Sequence, residues 1–427
     1  MGDTNRRTVA VIGAGVSGLS AAHVLNGERA VTLYEADTRL GGHAHTHDVA
    51  VSATDAGGDT VPVDSGFIVH NERTYPHLLR LFADLGVETR PTEMSMSITC
   101  STCGLSYAGG RGARGIFAQP WRAGDPRFIR MLAEVPRFHR AARRVLESEG
   151  DETTWGDFLA SLGYSEHFVR HFAVPLVSCV WSADEADALA YPARHLFRFL
   201  DHHGMLSVSG SPTWRTVVGG SRTYVERVAE RLPDVRREAP VVAVRRHPDG
   251  VDVVTRDGSI ETYDQVVLAT HADQALELLA DATPEEKQDL GAIGYSTNEA
   301  VLHRDSSLLP GRPAARASWN HVTTCGTDDA RASVAVTYWM NRLQGLDTAD
   351  DLLVTLNGSD KVDPDAVIAQ MDYDHPIFTP EAVRAAERLR EAGGDRLAFA
   401  GAHLGWGFHE DGCRSGVDAA RALGVSW

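Results

Sequence analysis

The segment from 9 to 36, VAVIGAGVSGLSAAHVLNGERAVTLYEA, constrains the fold of this chain more than any other. The apolar run Val9 to Ile12 leads into Gly13, Gly15 and Gly18, a helix is expected over Val16 to Leu25, and Glu35 ends the next strand. Strand, glycine turn, helix and acid at this spacing describe a dinucleotide-binding βαβ unit. Gly13 permits the tight turn, Gly15 lets the backbone approach a pyrophosphate, and Gly18 lets the helix lie close on the sheet. The N–H groups of the first turn, around Val16 and Ser17, lack partners inside the helix and can face the phosphates. Glu35, followed by Ala36, can accept hydrogen bonds from both ribose hydroxyls of an adenosine. It would repel a 2′-phosphate, which argues against NADP.

With 427 residues the chain can bury cores for two domains that share an interface. Its formal charge of -17 disfavours nucleic acid as a partner. Gly, Ser and His interrupt every apolar stretch before it reaches membrane-spanning length, so no transmembrane segment is expected. The first apolar run is a strand and helix with no secretory cleavage pattern after it. Cysteines at 100, 103, 179, 325 and 413 suit a reducing compartment, and a cytoplasmic protein is expected. Only Lys287 and Lys361 are lysines.

Further along, Arg39-Leu-Gly-Gly-His43 is followed by a Gly/Asp-rich connection and the strand-like Val61 to Val69. Apolar positions 78, 79, 81, 82 and 85 share one side of a helix from Pro76 to Leu85 that stops at Gly86. Residues 92 to 107 alternate like strands around a turn. Residues 116 to 215 read as mostly helical, with helices over Arg127 to Glu147, Thr154 to Leu162 and His167 to Val180. Nine arginines between 111 and 144 face only Asp125 and Glu134. They read as a solvated face or as a contact for an acidic carrier or membrane surface. At Gly219 the chain turns back: a helix over Thr223 to Leu232 precedes three strands joined by turns at Asp249-Gly250 and Asp257-Gly258, and a last strand over Gln265 to Ala269. Strands follow at Ala332 to Trp339 and Leu352 to Leu356, then a helix over Pro380 to Ala392. At the C-terminus Gly401 closes a strand over Leu397 to Ala400, and a small-residue helix over Val417 to Leu423 places a second helix N-terminus near a cofactor.

Four of these elements together resemble the FAD-dependent amine oxidase and phytoene desaturase superfamily: GAGVSGL with Glu35; Arg39 with Gly41 and Gly42; the pair VVAV at 241 to 244 and VVLAT at 266 to 270; and FAGAHLGWGFHEDGCRSGVDAA near the end. The stretches VDSGFIVHNERTYPHLLRLFADLGV, VTYWMNRLQGL and GAHLGWGFHEDGCRSG resemble more closely a bacterial subfamily described as predicted NAD/FAD-binding, flavin-containing amine oxidoreductases. The resemblance implies an α/β fold with a Rossmann-like FAD-binding domain built from 1–90, 216–290 and 393–427. A mixed-sheet and helical substrate domain would comprise 91–215 and 291–392. It implies FAD as cofactor, and contacts to it at His43, Gly66, Val242, Thr270, Gly401, Gly407, Phe408 and His409. Neighbouring genes for fatty-acyl modifying enzymes in that subfamily imply a lipid-like substrate.

In such enzymes a flavin takes a hydride from a carbon held over its ring, and the protein positions that carbon and excludes water. Candidates to line this place are His70, Asn71, Trp319, Tyr338 and Trp406, with Trp339, Phe408 and His409 beside them. Many amine oxidases of the superfamily use a lysine near the flavin; here Asn298 stands near that place, and neither lysine can substitute. The expected function is therefore oxidation of an apolar, fatty-acyl or lipid-linked substrate. Amine oxidation with peroxide release, redox-neutral double-bond isomerisation and a non-catalytic flavin-bound role are the alternatives. No resident metal is expected. The alternating row His43, His45, His47 reads as a cofactor contact at His43 ahead of a metal site. Cys100-Ser-Thr-Cys103 reads as a tight hairpin turn, with zinc shared with another cysteine or redox work as weaker readings.

Overall fold

The computed structural model describes residues 6–52, 59–148, 153–181, 189–206, 210–325, 335–392 and 394–427. A five-stranded sheet lies behind the glycine turn, in the order Asp234–Arg236, Ala30–Tyr34, Thr8–Ile12, Gln265–Leu268, Leu397–Phe399, and every neighbouring pair is parallel. Parallel strands buried on both faces must be apolar throughout, which is why Val9, Ala10, Val11, Val266, Val267 and Leu268 run without alternation. The strands come from 8–34, 234–268 and 397–399, so a sheet of neighbours in space is assembled from segments far apart in sequence.

Two helices cover one face of this sheet. Val16–Leu25 buries nine of its ten residues, and His409–Ala422 crosses it at Gly412 and Gly416. A Cβ on Gly416 would lie 2.2 Å from the Ser17 carbonyl oxygen, and one on Gly412 would lie 2.6 Å from a Val16 methyl. Only glycine allows this crossing. The C-terminal helix therefore starts eight residues earlier than Val417, because Asp411 reaches back to accept the Phe408 N–H at 3.2 Å and caps it there. Ser415 and Gly416 sit within this helix.

Val241–His247, Gly250–Thr255 and Ile260–Tyr263 form an antiparallel three-stranded sheet, as the alternation predicts. Its first turn closes over Pro248 and Asp249, since His247 pairs with Gly250. A seven-stranded sheet has the order Val367–Pro376, Tyr295–His303, Leu353–Leu356, Ala335–Trp339, Trp319–Thr323, Met96–Cys100, Ser106–Gly109. Its neighbours are antiparallel except Trp319–Thr323 and Met96–Cys100, which run parallel. The expected strand from Ala332 is described from Ala335 onward, and 332–334 fall outside the described residues. The run Val61 to Val69 is a strand only over Thr60–Asp64. Beyond it Gly66 packs so closely on the His43 carbonyl that a Cβ would lie 2.2 Å from its oxygen, and the backbone leaves the sheet.

Helices over Pro126–Glu147, Trp155–Ser161, Glu166–Phe168, Val174–Trp181 and Ala193–His202 pack a third layer around Phe128, Phe138, Trp155, Phe168 and Phe197. The helix expected from His167 to Val180 carries a π turn at Val169–Ala173, so one extra residue shifts the side chains after it. Among the described residues no helix is long and apolar enough to cross a membrane.

Candidate active site

One cavity of about 1090 Å³ begins at the glycine turn and extends to the seven-stranded sheet. Gly13, Gly15, Val16, Ser17, Glu35 and Ala36 line its first end, where Gly13 N–H donates to Tyr34 O at 2.9 Å. Glu35 is fixed by two backbone donors, Ala14 N–H at 2.9 Å and Asp37 N–H at 3.0 Å, which leaves its remaining lone pairs toward the cavity. Gly18 lies behind this wall: a Cβ there would be 1.9 Å from the Gly13 carbonyl oxygen. At Gly15 a Cβ would meet nothing within 4 Å, so this glycine faces open cavity. That combination, a turn closed from behind and open in front, fits a diphosphate at a helix N-terminus.

The Arg39 to His43 loop closes over the turn. Gly41 N–H donates to Ala14 O at 2.8 Å, and Gly42, with φ +57°, brings its Cβ direction to 3.2 Å from the Gly15 Cα. Gly42 and His43 line the cavity, whereas Arg39 turns back to the carbonyls of Leu40 and Ala44 at 3.2 and 3.1 Å. Of the three histidines of the row, His45 and His47 stay together with ring centroids 4.0 Å apart, while His43 packs elsewhere. His43 packs on Tyr373 and His375, at ring separations of 5.0 and 5.4 Å, and its buried Nε2 has no protein partner. His45 Nδ1 lies 3.1 Å from Tyr373 Oη, and His47 Nε2 lies 2.9 Å from Ser65 Oγ. A buried imidazole nitrogen without a partner, on a residue of the cavity wall, is one that a cofactor group could satisfy.

Gly66, Thr270, Gly401, Gly407, Phe408 and His409 line the middle. Ser415 Oγ accepts the Gly401 N–H at 2.9 Å and locks that turn to the C-terminal helix. His409 stacks on Phe67 at 3.8 Å and reaches Tyr224 Oη with Nε2 at 3.0 Å. Burial holds His375 at about 4 and His403 and His409 at about 3, and pushes His43 well below its ordinary value. The imidazoles around the cavity are therefore neutral at pH 7, able to exchange hydrogen bonds without adding charge.

The far end is apolar. Trp319 pairs in register with both Tyr338 and Met96, so the three side chains stand together on one face of the sheet. Trp319 and Tyr338 meet edge to face at 5.2 Å. Met94, Phe199 and Leu356 complete this end, with Phe199 stacked on Phe408 at 4.5 Å. Glu93 also reaches the wall, but its carboxylate is held by Arg342 at 2.7 Å.

Of the six reaction-site candidates, Trp319 and Tyr338 are on the wall and four are not. His70 is fully buried behind Phe67, with both ring nitrogens unpartnered. Asn71 accepts the N–H groups of Arg73 and Thr74, both at 2.9 Å, and builds a turn. Trp406 packs into the helical layer near His195 and His202. Asn298 stands one layer back, with Nδ2 2.9 Å from the Nδ1 of His375, which is itself on the wall. Among the expected cofactor contacts, Gly18, Arg39, Gly41 and Val242 are likewise off the wall; Val242 is 44% exposed, and its neighbour Val241 lines the cavity instead. Wall residues that sequence reading missed are Tyr373, His375, Phe378, His271 and His403. Period-two alternation in MDYDHP could have placed Tyr373 and His375 on opposite phases from Asp372 and Asp374, but not against a cofactor.

Neither lysine is on the wall: Lys287 lies in the helix Pro284–Gly291 and Lys361 in the turn Ser359–Lys361.

The model of the flavin-containing amine oxidoreductases matches residues 16–345. Flavin-containing amine oxidase A of Canis lupus familiaris is 28% identical over 278 residues, 61% of this chain and 49% of that protein. Carotenoid phi-ring synthase of Streptomyces griseus is 29% identical over 329 residues, 71% of this chain and 59% of that protein. The chain thus spans about half the length of the curated relatives it matches. The solved structure of cyclohexylamine oxidase from Brevibacterium oxydans has the same fold, with a TM-score of 0.71 at 19% identity and 98% of each chain covered. The chain belongs to the flavin-containing amine oxidoreductase family, a family of FAD-dependent oxidoreductases.

Proposed function

We propose that this protein is an FAD-dependent oxidoreductase that removes hydrogen from an apolar, fatty-acyl or lipid-linked substrate. The observation that carries the reading is the cavity end formed by Met94, Met96, Trp319, Tyr338, Phe199 and Leu356, continuous with the glycine turn and without a lysine on its wall. FAD, when bound, supplies the two-electron acceptor. Gly13 to Ser17 and Glu35 would hold its diphosphate and ribose, and His43 Nε2 and the Gly401 to His409 turn would face the rest of it. The chain's own contribution is then to bind, orient and keep dry. Trp319, Tyr338 and Met96 exclude water by apolar contact. The neutral His375, held at Nδ1 by Asn298, offers a hydrogen-bonding group whose orientation is fixed from behind.

Anaerobic mixing with acyl substrates should bleach the flavin absorbance near ~450 nm, as two-electron reduction of a flavin does. Bleaching by amines alone, with peroxide released in air, would establish the amine oxidase reading instead. A product of unchanged mass would establish isomerisation. Trp319→Ala should raise KM for an apolar substrate about tenfold or more, at ~1.5–3 kcal/mol for an aromatic wall, with flavin content unchanged. An unchanged KM would remove Trp319 from the substrate wall. Trp406→Ala, in contrast, should lower Tm, because Trp406 packs in the helical layer.

An anionic lipid or carrier contact through 111–144 is a separable part of the proposal. Several arginines there serve the fold: Arg122 pairs with Asp125 at 2.7 Å, and Arg143 donates to Leu206 O at 2.8 Å. Arg127, Arg140 and Arg144 are exposed. Changing these three to serine should weaken binding to anionic vesicles and flatten its salt dependence, with flavin content unchanged. Equal binding by wild type and variant would dismiss the contact.

A further inference from the structure

Three of the five cysteines and one histidine meet at a place away from the flavin cavity. We infer that Cys100, Cys103, His171 and Cys325 form a structural zinc site. Their donor atoms all lie within 4.8 Å of one another, and Cys103 Sγ is 3.6 Å from His171 Nε2. A tetrahedral zinc ion with three sulfurs and one nitrogen keeps its donors about 3.5–3.8 Å apart, so the four need only close slightly around it.

The surroundings are those of a ligand set. Cys100 ends the strand Met96–Cys100, and the chain turns sharply after it: Gly104 N–H donates to Cys100 O at 3.0 Å, and Gly104 takes φ +67°, which favours glycine. Cys325 is tied to the same turn, because its N–H donates to Thr102 Oγ1 at 3.3 Å. The π turn at Val169–Ala173 presents His171 from the helical layer. Its Nδ1 lies 3.1 Å from the His167 carbonyl, which can only accept, so the ring proton sits on Nδ1 and Nε2 keeps its lone pair toward the cysteines. A second-sphere carbonyl fixing the tautomer in this way is the usual support of a zinc-bound imidazole.

Charge and access also agree. Binding would release three thiol protons to solvent and leave a cluster of net charge −1, and Arg122, which donates to Cys103 O at 3.0 Å, sits beside it. Cys103 is exposed, so an ion can enter from solvent. The ion would join the two parallel strands Met96–Cys100 and Trp319–Thr323 to the helical layer. At the other end of that strand pair stand Met96 and Trp319, on the cavity wall. The site thus staples the frame of the apolar end without touching what binds there.

Elemental analysis of the flavin-loaded protein, purified under reducing conditions, should find about one zinc per chain. Cobalt(II) added to metal-stripped protein should give the strong visible bands of a tetrahedral site with sulfur-to-cobalt charge transfer. Cys103→Ser and His171→Gln should each weaken cobalt binding at least tenfold while flavin content is unchanged. Absence of zinc together with absence of the cobalt spectrum would overturn the assignment. So would metal binding by both variants equal to that of the wild type. If both variants failed to fold, the wild-type cobalt spectrum would still decide the question.

Discussion

Gly15→Ala should yield a folded protein that no longer retains flavin, whereas Gly18→Ala should lose flavin and fold stability together. The two glycines are three residues apart on one turn, and the difference lies in what a methyl would meet. At Gly15, with φ −70°, any residue can adopt the backbone, and a Cβ would point into open cavity. Its only victim would be the diphosphate, with FAD binding expected to weaken about a hundredfold, or ~2.7 kcal/mol. At Gly18 the Cβ would lie 1.9 Å from the Gly13 carbonyl oxygen and 3.2 Å from the Ala269 Cβ. The helix cannot back away, because Gly412 and Gly416 hold the C-terminal helix against its other side. Overpacking of this kind costs ~1–3 kcal/mol and more where nothing can move. Flavin content and thermal unfolding of the two variants separate these outcomes. A Gly15→Ala protein as yellow as wild type would remove the diphosphate from that position.

Acid should unfold this protein within the window between pH ~6.5 and ~4. His70, His303 and His321 are buried and held at about 4, and His403 at about 3, against an ordinary 6.5. In each case burial is the main cause. The unfolded chain takes up protons that the folded one refuses, so their stabilisation is complete above pH 6.5 and is lost as pH falls toward the folded values. Each group is worth roughly 3 kcal/mol across the window, and the four together rival the ~5–15 kcal/mol by which a domain is stable. Asp64 and Asp411 act in the opposite sense: burial raises both to about 6, so their share improves as pH falls from 6 toward 4. Two carboxyls offset only part of what four histidines lose. Urea midpoints of the flavin-loaded protein should fall steadily from pH 7 to 5. A constant midpoint over that range would contradict the burial of these imidazoles as neutral groups.

The nucleotide end of the cavity was legible because its requirements are local. Gly13, Gly15, Gly18 and Glu35 fix one turn within a single βαβ unit, and spacing alone carries that geometry. The C-terminal segment was legible as a helix but not in its boundary: its small residues suggested a start at Val417, whereas Asp411 caps it at Phe408 and moves its start to His409. The wall made by Tyr373 and His375 depends on pairing of Val367–Pro376 with Tyr295–His303, and no local pattern announces a contact between Asn298 and His375, 77 residues apart. His70 and Trp406 carry chemistry-bearing side chains beside residues that do line the cavity. Phe67 and the helical layer enclose them instead, so proximity in sequence was a poor guide to direction. Cys325 and His171 joined Cys100 and Cys103 only once the parallel strand pair and the π turn had brought three segments together.

In the proposed function, one cavity takes the adenosine diphosphate arm of FAD against Gly15 and Glu35 and presents its other end to an apolar chamber. Titration of flavin-free protein with FAD and with FMN, followed by flavin fluorescence, tests this most directly. FAD should bind at least a hundredfold more tightly than FMN, which lacks the adenosine that the first end is built to hold. Equal affinity for the two would contradict the account.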